Sequence, residues 1–180
     1  MQLHYLEIHK YLVGNSLTFF KIKKVDCVDG GVMKRIINIL LVSLLFWFTL
    51  DITGFSIGNS CLVESPGILS FDTTWWIIFV VCSMLFFLKE KQGKYVLSVF
   101  LTVWVIVQYF SHWNYTIFGV TERKLSGYNK FFANTYHIIP QSDSILIPDL
   151  YHIILHILLI SLLVLMIVYI FQKRNRITSA

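Results

Sequence analysis

The chain has 180 residues, 56% of them hydrophobic and 14% charged, with a mean hydropathy of +0.68. That balance rules out an ordinary soluble globular domain. The net charge of +5 sits between long apolar runs instead of in one basic patch, which argues against nucleic acid as a partner.

Residues 1–32 have no sustained apolar stretch behind a basic start and no small-residue cleavage site, so they do not read as a signal peptide. Met33-Lys34-Arg35 ahead of Ile36-Ile37 has the form of a bacterial membrane-protein start. Gly30-Gly31-Val32 could be encoded by GGAGGT, which has the form of a ribosome-binding stretch. Two readings of residues 1–32 follow. Either they are a leader that is not translated, or they are a cytoplasmic tail with Lys21, Lys23 and Lys24 near anionic headgroups. Residues 33–180 then form one transmembrane domain.

Four apolar runs, at 36–55, 74–88, 95–118 and 150–171, are long enough or nearly so to cross about 30 Å of hydrocarbon at about 1.5 Å per residue. The expected fold is therefore an all-α integral membrane protein, its four transmembrane helices forming an antiparallel bundle. The loop after run one is rich in turn residues, from Ser56 to Gly67. Asp72 or Thr73 suits the N-cap of run two, and Trp75 and Trp76 match an aromatic belt. Run two is short for a span. The turn over 89–94 should close runs two and three into a hairpin. In 121–139, Leu125, Tyr128, Phe132, Tyr136 and Ile139 recur at spacings of three and four. They predict an amphipathic helix, lying in the outer interface or capping the helix ends. Asp149 is placed to cap run four.

Basic residues mark alternate loops. Lys34 and Arg35 precede run one, Lys89, Lys91 and Lys94 separate runs two and three, and Lys173, Arg174 and Arg176 follow run four. By the positive-inside rule both termini and the 89–94 turn are cytoplasmic, in what reads as a bacterial inner (cell) membrane. This places Cys27 inside, Cys61 outside and Cys82 within the membrane, so no disulfide is expected within the chain.

The chemistry-bearing residues gather toward the outer side. Asp51 lies near the end of run one. Gln108 and His112 share a face of run three, and Asp149, His152 and His156 share a face at the start of run four. Ionisable groups in lipid cost several kcal/mol unless they face the bundle interior or find partners, so these residues are expected to line one outer pocket. Three readings follow from it. The first is a divalent-metal site built from His112, His152, His156, Asp51 and Asp149. The HxxxH spacing alone carries little, because Ile153 stands where a zincin has Glu. The second is a cofactor site for haem b, with His112 opposite His152 or His156 as axial ligands. The third is structural, with the imidazoles bonded to Asp51, Tyr109, Tyr151 or backbone carbonyls. His137 would join the pocket if the 121–139 helix folded over it. No GxSxG, SxxK or phosphate-loop pattern supports another chemistry.

The expected function is a binding or accessory protein in the lipid bilayer, working with other membrane subunits, whose His/Asp pocket holds a metal ion or ligand. The alternative is a membrane oxidoreductase or metalloenzyme using His112, His152 and His156.

Overall fold

A computed structural model describes residues 30–58 and 60–178, with side chains between 31 and 172. The leader-or-tail question for 1–32 falls almost wholly outside these residues. The chain is mostly helical, and four of its helices are long and apolar enough to cross a membrane.

α1 spans Gly30–Thr53. A short antiparallel hairpin follows, β1 (Phe55–Ile57) paired with β2 (Ser60–Val63), which the composition of this segment did not announce. α2 runs Phe71–Leu88, capped by Ser70, whose hydroxyl oxygen accepts the Thr73 N–H at 3.2 Å. The cap therefore precedes the expected Asp72 or Thr73. Asp72 falls instead in the first turn, where its charge faces the positive end of the helix dipole.

α3 (Glu90–Gln108) begins one residue after α2 ends, so the expected six-residue turn is the single non-helical residue Lys89. This junction needs a glycine. A Cβ on Gly93 would drive into the backbone of Leu85 and Phe86. α3 continues through a π-helical turn, Tyr109–Trp113, into α4 (Asn114–Phe118). α5 covers Glu122–Phe131, and α6 runs Leu150–Thr178.

The helix expected over 121–139 stops at Phe131. Leu125 is buried, but Tyr136 and Ile139 are about half exposed. Backbone bonds pull the chain out of the helix. Tyr136 N–H donates to the Cys61 carbonyl at 2.9 Å, and Leu150 N–H donates to the Tyr136 carbonyl at 2.9 Å. Pro140 also biases the residue before it toward extended backbone.

The core follows three- and four-residue spacing. Ile37, Leu41, Leu44 and Phe48 of α1 meet Tyr151, Leu155, Leu159, Leu162 and Met166 of α6. Phe79 of α2 packs edge-on against Trp104 of α3, which also meets Phe48, tying three helices together. The opposite faces are apolar too: Phe46, Val99 and Ile157 are 60% or more exposed. Helices apolar on every side suit a lipid surround. At one end Glu90 accepts from Lys34 Nζ at 2.6 Å and from Tyr169 OH at 2.7 Å, joining α1, α3 and α6. The other end carries the histidines.

Candidate functional site

The site is built from the start of α6. Asp149 Oδ1 accepts the backbone N–H of His152 at 2.9 Å, which is the N-cap bond. The same oxygen accepts from the His152 ring Nδ1 at 2.6 Å. Burial pushes the Asp149 carboxyl up. The ring and backbone bonds from His152 and the nearby Thr135 hydroxyl more than offset it, leaving the carboxyl below its usual range. With Nδ1 committed, only Nε2 of His152 is left for a ligand or proton.

His156, one turn further on, is held differently. Trp113 Nε1–H donates to its Nδ1 at 3.0 Å, and its Nε2–H donates to Gln108 Oε1 at 3.1 Å. The π turn makes this grip possible. Residues five apart lie about 140° apart around an α-helix, whereas a π turn brings them back toward one side. Gln108 and Trp113 thus close on one imidazole. Asn114 N–H reaches the Tyr109 carbonyl five residues back.

His112 is buried beside these rings, its centroid 4.5 Å from His152 and 5.5 Å from His156. The Tyr128 hydroxyl stands 3.5 Å from its Nδ1. Burial, then the Asp149 charge, push the Tyr128 phenol well above its usual value, so it stays neutral. Phe132 packs edge-on against His152 at 5.3 Å. α5 therefore folds over the histidines as a cap. His137 does not join them: its Nε2 bonds the Phe132 carbonyl at 3.1 Å and secures the turn after α5.

A cavity of about 90 Å³ opens beside His152. Its polar wall is Asp51, Glu64, Asp72, Gln108, Tyr151 and His152, and its apolar wall includes Phe48, Phe131 and Phe132. Among the described residues the ion pairs are Lys34–Glu90 and His152–Asp149. Among the described residues, none of the three lining carboxylates has a Lys or Arg within ion-pair distance. Tyr151 is 1% exposed and its hydroxyl has no hydrogen-bond partner among the described residues.

The expected residues therefore divide. His112, His152, His156 and Asp149 come together, while Asp51 faces the neighbouring cavity. Among the described residues, no three His, Cys, Asp or Glu side chains are arranged to hold a metal ion. To ligate a metal, His156 would have to release one of its two bonds, the one at the ligating nitrogen. The His112 and His152 rings pack directly on each other at 4.5 Å, with Tyr128 and Phe132 against them, and do not face each other across a gap. The hydrogen-bond partners of these histidines are Trp113, Gln108, Tyr128 and Asp149, other than the expected Asp51, Tyr109 and Tyr151.

Sequence reasoning missed Glu64 and Asp72 as cavity residues, and named Tyr151 only as a partner of the imidazoles. The signal for Asp72 was present, since it starts run two on the same side as Asp51. Glu64 comes in through the hairpin. No protein-family model matches the chain, and no curated protein or solved structure is significantly similar to it.

Proposed function

We propose that this chain is a four-span protein of a bacterial inner membrane, its helices packed as an antiparallel bundle with both termini cytoplasmic. On this reading it serves as a binding or accessory subunit, and its outer pocket receives a positively charged ligand. One observation carries the proposal. Asp51, Glu64 and Asp72 converge on one cavity, and no Lys or Arg neutralises them among the described residues. Clustered carboxylates repel one another and resist burial, so a cation entering the cavity relieves both penalties. The charge pattern supports the orientation, because the Lys34–Glu90 end also holds Lys89, Lys91 and Lys94.

The test is equilibrium binding to protein in lipid nanodiscs, with a panel of inorganic and organic cations. At least one cation should bind saturably at one site per chain, and Asp51→Asn should weaken it tenfold or more. Binding of none of the panel, or equal binding by the variant, contradicts the reading.

A second reading, a metalloenzyme or oxidoreductase, has one observation in its favour. Asp149 orients His152 as a carboxylate orients a metal-ligating or proton-transferring imidazole. Elemental analysis and an optical spectrum of protein from its native membrane decide between the two. Stoichiometric metal or a Soret band that disappears in His152→Ala but persists in Asp51→Asn would favour the second.

A further inference from the structure

Resting on the cation-binding reading, we infer that the cavity's ligand is a primary alkylammonium group, from either a free amine or an aminolipid headgroup. Three features select it over a metal ion. The carboxylates reach the cavity from three separate elements: Asp51 from α1, Glu64 from the end of the hairpin and Asp72 from α2. They surround a space and do not meet at a point, and among the described residues no acid–histidine set closes to metal-ligand geometry. About 90 Å³ holds a group the size of a few waters.

The rest of the lining is largely aromatic. Phe48, Phe131, Phe132 and the Tyr151 ring line the same cavity. Aromatic faces attract ammonium cations, primary ones included, and accept the alkyl stem behind the nitrogen. A hard divalent ion instead keeps its water and seeks oxygen on all sides.

The third feature is the Tyr151 hydroxyl. It is buried against the cavity with no partner among the described residues, although buried hydroxyls are nearly always bonded. Trp47 fixes it there, its ring stacked on Tyr151 at 5.6 Å and its Nε1–H donating to the Tyr151 carbonyl at 3.1 Å. An ammonium N–H supplies the missing bond, with the hydroxyl oxygen accepting. The remaining N–H groups fall to the carboxylates. A primary ammonium carries three such donors, and a quaternary one carries none.

Binding of n-propylammonium, tetramethylammonium, Ca²⁺ and Zn²⁺ to the full chain in phosphatidylcholine nanodiscs tests this. n-Propylammonium should bind saturably, tetramethylammonium at least fivefold more weakly, and neither metal should displace it at equal concentration. Asp72→Asn should weaken n-propylammonium tenfold or more. Phe132→Leu, which keeps the volume apolar, should weaken it about tenfold through loss of the ring face. Thermal unfolding of each variant confirms that it is folded. Adding phosphatidylethanolamine to the discs separates the two sources. Competition by the lipid identifies a headgroup site, and unchanged affinity identifies a soluble amine. Saturable metal binding lost in Asp51→Asn, without n-propylammonium binding, overturns this inference and leaves the cation-binding reading standing. Binding of no cation overturns both. n-Propylammonium binding that neither Asp72→Asn nor Phe132→Leu alters would place the amine elsewhere and overturn the inference.

Discussion

One oxygen of Asp149 holds both the backbone and the ring of His152. Loss of a helix cap costs about 0.5–2 kcal/mol, and loss of a charge-assisted bond about 1.5–3 kcal/mol. Asp149→Ala should therefore destabilise the folded chain by about 2–5 kcal/mol in detergent unfolding. Asp149→Asn, which still caps, should lose roughly half as much. The pH dependence has a defined sign. The folded carboxyl titrates below its ordinary value of 3.8. Its stabilisation is fully present above that pH and is lost as pH falls through the lower native-state value. Wild type should thus lose more stability than Asp149→Asn on acidification below about pH 4. Parallel acid-unfolding curves for the two proteins would contradict this assignment. The cap was legible in the sequence because an acid stands just before a long apolar run; the spacing of three put Asp149 and His152 on one face, but the ring bond between them was not expected. The Trp113–His156 bond was not, because it depends on a π turn that no residue pattern announces.

The α2–α3 junction shows how a single glycine sets the contact between two helices. The backbone of Leu85 and Phe86 occupies the space a Gly93 side chain would need, and backbone cannot rotate away as a flexible side chain can. Gly93→Ala should lower stability by about 1–3 kcal/mol, read as a lower unfolding midpoint. It should also loosen the stacked Phe79–Phe100 pair between these helices. An unchanged midpoint would mean that the two helices do not approach so closely. The hydrophobic runs revealed where the helices lie, because only a long apolar segment can present apolar residues on every face. Their ends were less legible. α1 begins six residues before run one, and α3 five before run three, because polar flanking residues continue a helix once it has formed. The α5 stripe was legible only as far as Phe132. Beyond it, backbone pairing with the hairpin overrides the periodicity, and that pairing is long-range.

Along the four long apolar helices, Lys34, Lys89, Lys91 and Lys94 stand at one end, and at the other an acid-lined cavity sits under the α5 cap, which carries Arg123, Lys124 and Lys130, beside the histidines. The polarity of the loops made the lysine-rich end readable. The cavity itself was not, since Glu64 and Phe132 enter it from loops whose paths depend on the folded whole. On the proposed orientation, the cavity faces away from the cytoplasm and takes a cation. Both statements can be tested by labelling a cysteine at the cavity's edge with a membrane-impermeant maleimide in intact cells. Pro66 lines the cavity and is exposed, so Pro66→Cys serves once Cys27, Cys61 and Cys82 are replaced by alanine. Rapid labelling without permeabilisation, slowed severalfold by n-propylammonium in wild-type Asp51 but not in Asp51→Asn, is the predicted result. Labelling only after permeabilisation, or at a rate no cation alters, would contradict it.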